Sequence, residues 1–75
     1  MNNRRRTKLR AVISELGSTR EKISLLREEE DESRYNMPES LQETDRYRHS
    51  EECSYAMDDA IESINSAISE IGEVI

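Results

Sequence analysis

The chain has 75 residues, of which 37% are charged and only 33% hydrophobic, and it contains two Gly, one Pro, one Cys and one His. This length fits one domain at most, and so few turn residues argue against an all-β fold, in which every hairpin needs its own turn. A single Cys excludes an internal disulfide, and one Cys with one His cannot form a zinc site. No long apolar run is present, so we expect neither a membrane span nor a signal peptide.

The charges are unevenly distributed along the chain. Residues 1–10 carry five bases and no acid, while residues 11–75 carry six bases and all 17 acids, which gives them −11 and the whole chain −6. The five bases form a candidate basic arm: Arg4, Arg5, Arg6, Lys8 and Arg10. Because an acidic body repels phosphate, nucleic acid is the less favoured partner, although the arm could contact it locally.

Apolar residues at steps of three and four predict a first helix over about residues 4–35. In heptad terms, position a is occupied by Leu9, Leu16 and Ile23 and position d by Val12 and Leu26. Either Asn2 or Asn3 can cap the N-terminus of this helix.

The helix should end near Asn36, because Pro38 disfavours helical backbone at the residue before it. We predict a loop over 36–43 with one short turn that starts at Pro38 and tucks Leu41 inward. A second helix is then expected over about residues 44–74, with Thr44 as its cap and Ser50 as an alternative start.

The second half has a stronger seven-residue pattern. Position a holds Met57, Ile64 and Ile71, position d holds Ala60, Ala67 and Val74, and position e holds Ile61, Ile68 and Ile75. So wide an apolar face suits contact with more than one neighbouring helix.

These patterns predict an all-α fold: a single antiparallel two-helix hairpin, similar to a coiled coil. A chain this small with no disulfide or metal usually gains stability by self-association, so we expect two hairpins to pair into a four-helix bundle homodimer. The predicted oligomer core comprises Leu9, Leu16, Ile23, Met57, Ile61, Ile64, Ile68 and Ile71.

The core stripe lapses where Glu30 and Ser33 occupy positions a and d. These residues should lie opposite Tyr47, Ser50 and Cys53, so little area would be buried there. We therefore expect residues 28–50 to be weakly packed and to exchange their amides first. The alternative is a second small core closed by Tyr35, Met37 and Leu41.

No residue pattern indicates a reaction or a cofactor. His49 is interpreted as a solvated helix residue and Cys53 as core filler on the d column. The run Glu28–Glu32 lacks the alternating acids and the Gly of an EF-hand loop. Asp58 and Asp59 are adjacent and point in different directions, so they do not form a carboxylate pair for acid–base work. We expect a protein that is not an enzyme, with no metal and no cofactor.

The segments NMPESLQ (36–42) and MDDAIESI (57–64) resemble a set of small acidic helical-hairpin proteins encoded by phages and prophages of Gram-positive bacteria. In that set a helix with a basic start, a short Pro-Glu loop and an Ala-Ile-repeat helix recur. The resemblance implies a phage origin, the cytoplasm of an infected or lysogenic bacterial cell as location, and an accessory, non-catalytic role. It implies no site residues.

The outer side of the second helix is the candidate surface for a partner. Tyr55 falls on the wet side of the heptad, and the acids around it complete the predicted partner-binding set: Glu52, Asp58, Asp59 and Glu62. An exposed aromatic among acids can anchor a basic partner protein, although a scattered surface Tyr is the simpler interpretation.

Two function classes remain. The first is a small interaction protein that binds and modulates or inhibits a host protein through an acidic helical surface. The second is a nucleic-acid-associated accessory protein that uses the basic arm. The arm has a simpler interpretation too, because a hairpin places it beside Glu70 and Glu73, where it would balance charge internally.

Overall fold

The computed structural model describes residues 1–75 as two long helices joined by a short loop. Helix α1 spans Asn3–Tyr35, helix α2 spans Asp45–Gly72, and one 3₁₀ turn, Glu39–Leu41, lies between them. The two helices pack against each other in a rod of 59 × 15 × 12 Å. The predicted all-helical hairpin is confirmed.

Side-chain caps fix the start of both helices. Asn2 Oδ1 accepts a hydrogen bond from the Arg5 N–H at 2.9 Å, and Thr44 Oγ1 accepts one from the Tyr47 N–H at 3.4 Å. The Thr44 hydroxyl also donates to the Leu41 carbonyl at 2.6 Å, which ties the cap to the loop. The caps satisfy N–H groups that have no partner inside a helix.

The seam between the helices follows heptad positions a and e. In α1 the a residues of this seam begin with Leu9. The e residues beside them include Ile13 and Arg20, and both are half-buried. The predicted d residues Val12 and Leu26 are 40% and 55% exposed. The prediction that d faces the partner helix is therefore wrong for α1, because a single neighbouring helix covers only a narrow arc of its surface.

No apolar side chain of the hairpin is fully buried. The only buried residues are Ser50 and Ser54, at 6% and 5% exposure. The eight residues predicted for the oligomer core line the seam within one chain and are all half-buried: Leu9, Leu16, Ile23, Met57, Ile61, Ile64, Ile68 and Ile71. Two helices alone leave their apolar faces partly in water.

A ladder of arginines shows the register of the seam. Arg20 Nη1 donates to Asn65 Oδ1 at 2.7 Å, and Arg27 Nη1 donates to Asp58 Oδ1 at 2.7 Å. A step of seven in α1 thus matches a step of seven in α2. One heptad further towards the loop, Arg34 also reaches α2. One heptad in the other direction, the same register places Ile13 level with Gly72.

The loop end of the hairpin is more tightly packed than the sequence predicts. Ser50 and Ser54 are the most buried residues of the chain, whereas little burial was expected there. Their small side chains let the Arg34 side chain lie between the helices. Tyr35 is 87% exposed and Leu41 is 42% exposed, so neither closes a second core and Leu41 is not tucked inward.

Candidate interaction surfaces

A polar cluster joins the two helices at the loop end. Arg34 Nη1 donates to the Ser54 hydroxyl at 2.9 Å and to the carbonyl and hydroxyl oxygens of Ser50, both at 3.2 Å. Arg34 Nη2 donates to Asp31 Oδ1 at 2.8 Å, and the Ser54 hydroxyl donates to the same oxygen at 2.6 Å. We call these four residues the serine–arginine clamp.

The clamp favours the charged forms of its acid and its base. The hydrogen bonds donated by Ser54 and then by Arg34 hold the pKa of the Asp31 carboxyl below its ordinary value. Burial opposes the charge of Arg34, but its hydrogen bond with Asp31 raises the pKa of the guanidinium overall. A paired, hydrogen-bonded charge is what a partly dry contact between helices can tolerate.

Sequence reasoning missed this clamp because it treated serines opposite an acidic run as weak packing. A signal was present in the spacing of the arginines. Arg20, Arg27 and Arg34 recur every seven residues and lie in one column of α1. Arginines repeated along one side of an apolar stripe indicate that the helix packed on that stripe supplies hydrogen-bond acceptors.

Asp58 belongs to the ladder and not to the outer surface. Its carboxylate accepts from Arg27, and this hydrogen bond together with the charge of Asp58 raises the pKa of the Arg27 guanidinium. The structure therefore separates Asp58 from the other residues predicted to bind a partner. It lies at the edge of the seam, one residue beyond the a position of Met57.

The outer face of α2 carries the rest of the predicted partner-binding set. Tyr55 is 63% exposed, and Glu52, Asp59 and Glu62 are exposed around it. Asp59 and Glu62 form no ion pair, and Glu52 has only His49 Nδ1 near it, at 4.0 Å. We call these four residues the acidic outer face. No cation of the hairpin pairs with the carboxylates of Asp59 and Glu62.

His49 and Cys53 lie one turn apart on α2. Cys53 Sγ is 3.6 Å from His49 Nε2, Cys53 is half-buried and His49 is exposed. No group of three or more His, Cys, Asp or Glu side chains converges on a point that could hold a metal ion.

Two open clefts flank the clamp at the loop end. The larger, of about 360 Å³, is lined by Arg34, Tyr35, Gln42, Tyr47 and Glu51. The smaller, of about 190 Å³, is lined by Glu30, Ser33, Met37, Arg46, His49 and Ser50. Both are mostly polar grooves beside the seam.

The basic arm is the first two turns of α1. Arg6 donates to Asn3 Oδ1 at 3.2 Å, and none of the arm's five basic residues forms an ion pair. In the register of the ladder Arg10 is level with Ile75, so residues 4–9 continue beyond that level. The expected internal pairing with Glu70 and Glu73 is absent from the structure.

Neither helix contains a stretch that is both long enough and apolar enough to cross a bilayer. Comparisons of the chain with protein-family models, with curated proteins and with solved structures give no match.

Proposed function

We propose that this chain is a non-catalytic interaction protein whose acidic outer face binds a basic surface on another protein. The observation that supports this most is the free charge around Tyr55. The ladder and the clamp engage three cations of α1 at the seam, namely Arg20, Arg27 and Arg34, so none of these is available to neutralise the outer face of α2. The carboxylates of Asp59 and Glu62 are left unpaired beside a largely exposed aromatic ring.

In this proposal the protein is a phage or prophage product that acts in the cytoplasm of the bacterial host and modulates or inhibits a host protein. The resemblance of the loop and of the Ala-Ile repeat to phage-encoded hairpins supports that origin. The hairpin acts as a four-helix bundle homodimer, which leaves one acidic outer face on each copy. Tyr55 supplies contact area at low cost in side-chain entropy, and the acids supply orientation and speed of encounter.

The test is affinity capture from the lysate of a Gram-positive host, followed by calorimetry with the purified partner. Tyr55→Ala should weaken binding at least tenfold, because a central aromatic anchor is typically worth ~2 kcal/mol or more. Glu62→Gln should reduce the association rate and its salt dependence. The matched control is Glu73→Gln, which removes the same charge from the end of α2. Equal losses for Glu62→Gln and Glu73→Gln would contradict a defined site.

The second candidate function is nucleic-acid association through the basic arm. The observation that favours it is that all five cations of the arm are free of ion pairs and that four of them, all but Arg10, continue past the level of Ile75. The test is the affinity of the chain for a labelled DNA duplex at 50 mM salt, measured by fluorescence anisotropy. Replacing Arg4, Arg5 and Arg6 with Gln should reduce the slope of log affinity against log salt by about three phosphate contacts. No binding at 50 mM salt would remove this candidate.

A further inference from the structure

The hairpin exposes more surface than a compact monomer of its size. A monomeric globule of 8.8 kDa is expected to expose roughly 4,800 Å², whereas this chain exposes 5846 Å². The surplus, roughly 1,000 Å² per chain, is comparable to the ~800 Å² that each partner covers in a standard interface. A second hairpin is an occupant of the right size.

The two broad faces of the hairpin differ in chemistry. In α2 the ladder acceptors Asp58 and Asn65 lie at position b, on one side of the seam, and position d lies on the other side. Because the helices run in opposite directions, the d columns of α1 and α2 flank the seam on the same side. We call that side the d face. It presents Val12, Thr19, Leu26, Cys53, Ala60, Ala67 and Val74.

The d face is organised in layers. In the register of the ladder Leu26 is level with Ala60, and Val12 is level with Val74, to within one residue. Between them lies the layer of Thr19 and Ala67, and the fourth layer, near the loop, is Ser33 with Cys53. The apolar part of the face is therefore centred on Thr19. A two-fold axis at that level superposes the apolar parts of the two d faces to the greatest extent.

We infer that two copies pack d face to d face, antiparallel, about a two-fold axis perpendicular to the helices at Thr19. This inference rests on the homodimer of the proposed function and names its interface. The axis pairs residue i of α1 with residue 38 − i of the second copy's α1. Val12 then packs on the Leu26 of the second copy, and Ala60 on its Val74. Small residues at the centre permit close approach of the helices.

Charge complementarity independently favours the antiparallel direction. The axis brings residues 4–10 level with residues 28–34 of the second copy, so the basic arm of each chain lies along the acidic run Glu28–Glu32 of the other. Residues 1–10 carry +5, while residues 28–52 carry ten acids and three bases, or −7. A parallel dimer would place arm beside arm and loop end beside loop end, where like charges repel.

The interface lies away from the acidic outer face, so the two proposals fail separately. Tyr55 sits at heptad position f, on the opposite side of α2 from the seam and outside the d face. Loss of the dimer would leave capture by Tyr55 measurable, and loss of capture would leave the mass of the dimer unchanged.

Cysteine crosslinking in a Cys53→Ser background tests the symmetry. With oxidised glutathione, Thr19→Cys should give a covalent dimer in high yield, because the two residues meet on the axis within disulfide range. Leu26→Cys alone should not, since the two copies of this residue are about 14 residues, or ~21 Å, apart along the helices. An equimolar mixture of the Val12→Cys and Leu26→Cys chains should form the mixed disulfide.

Light scattering at tens of micromolar supplies the complementary measurement. The wild-type chain, kept reduced, should have twice the mass of the monomer, and Ala67→Glu should halve it while circular dichroism still reports helix. A monomeric wild-type chain would overturn the inference. So would efficient crosslinking through Leu26→Cys without crosslinking through Thr19→Cys, because that pattern requires a different axis.

Discussion

Arg34 is the residue on which the largest number of interhelical hydrogen bonds converges. It contacts Ser50 and Ser54 across the seam and Asp31 in its own helix. The serines fit this position for two reasons: their side chains are small enough to admit the guanidinium, and their hydroxyl oxygens accept hydrogen bonds from it. An alanine satisfies the first requirement only, and a leucine satisfies neither.

Substitution of Ser54 tests the clamp. Ser54→Ala should lower the free energy of unfolding by ~1 kcal/mol, the usual net value of a hydrogen bond. Ser54→Leu should lower it by roughly 1–3 kcal/mol, because extra methylenes overfill the contact. Urea unfolding measures both, and Ser66→Ala on the exposed side of α2 is the control. Equal stability of the Ser54→Leu and Ser66→Ala chains would show that the clamp is not formed in solution.

Asp31 makes the hairpin sensitive to acid. Its pKa is depressed in the folded chain from the ordinary 3.8, so its contribution to stability is present above that value and is lost as the pH falls through the lower folded pKa. Asp31→Asn should therefore melt at a lower temperature than the wild type at pH 6, and the difference should shrink towards pH 2. Glu29→Gln, an exposed neighbour outside the clamp, is the control. A difference that is constant with pH would contradict the linkage.

At the scale of the helices, the seam is an alternation of apolar residues with arginines. Leu16 and Ile23 in α1 are interleaved with Arg20 and Arg27, and all four are half-buried. An arginine can cover apolar neighbours with its methylenes while its guanidinium reaches the far side of the partner helix. The seam is thus narrow, and the acceptors of the ladder, Asp58 and Asn65, lie on one side of it only.

Amide exchange should distinguish the clamp from a frayed end. We expect amides of 31–34 and 51–54 to exchange slowly, with the central seam, while those of the loop 37–43 and of the first turn of α1 exchange early. This revises the sequence-based expectation for residues 28–50, since burial is greatest at Ser50 and Ser54. Early exchange throughout 28–54 would favour the original expectation.

The helices were predictable because their signals are local. Caps such as Asn2 and Thr44, the break at Pro38 and the spacing of isoleucines each act within a few residues. The column that faces the neighbouring helix was less predictable. Val12 and Leu26 indicate an apolar face, but they do not indicate which neighbouring helix covers it. Arg20 and the arginine one heptad later can be assigned to the seam only once Asn65 and Asp58 are known to lie opposite them. Burial of Ser50 likewise depends on a residue 16 positions away.

At the scale of the whole molecule, charge is separated along the rod. The arm end is strongly basic and the loop end strongly acidic, and the rod is 59 Å long. Opposite charges this far apart within one chain lie well beyond the ~10 Å Debye length at 0.1 M salt. They neutralise each other effectively only when a second copy brings arm and loop end together.

The dimer that we propose should therefore weaken with added salt, which is opposite to the usual trend for an apolar interface. Between 50 and 500 mM NaCl we expect the dissociation constant from sedimentation equilibrium to rise severalfold, since each exposed ion pair is worth ~0.2–1 kcal/mol and the two-fold axis doubles every pair. Lys8→Gln with Arg5→Gln, which neutralises two of the five cations of the arm, should reduce this salt effect. The control is Lys22→Gln, which lies outside the arm. Tighter association at 500 mM salt would mean that the arm does not contact the second chain.

Because the ladder repeats every seven residues, the contacts between the helices would be nearly the same if one helix slid along the other by one heptad. A slide of α2 by one heptad would pair Arg27 with Asn65 and would bring Arg34 to Asp58, so donors would again find acceptors. Neither the isoleucine columns nor the rungs distinguish the two alignments. Ser50 and Ser54 have no equivalents one heptad further along, where Met57 and Ile61 stand. Together with the length of the loop, the two serines therefore select one of two helix alignments. The rest of the sequence would leave these alignments almost equal in energy.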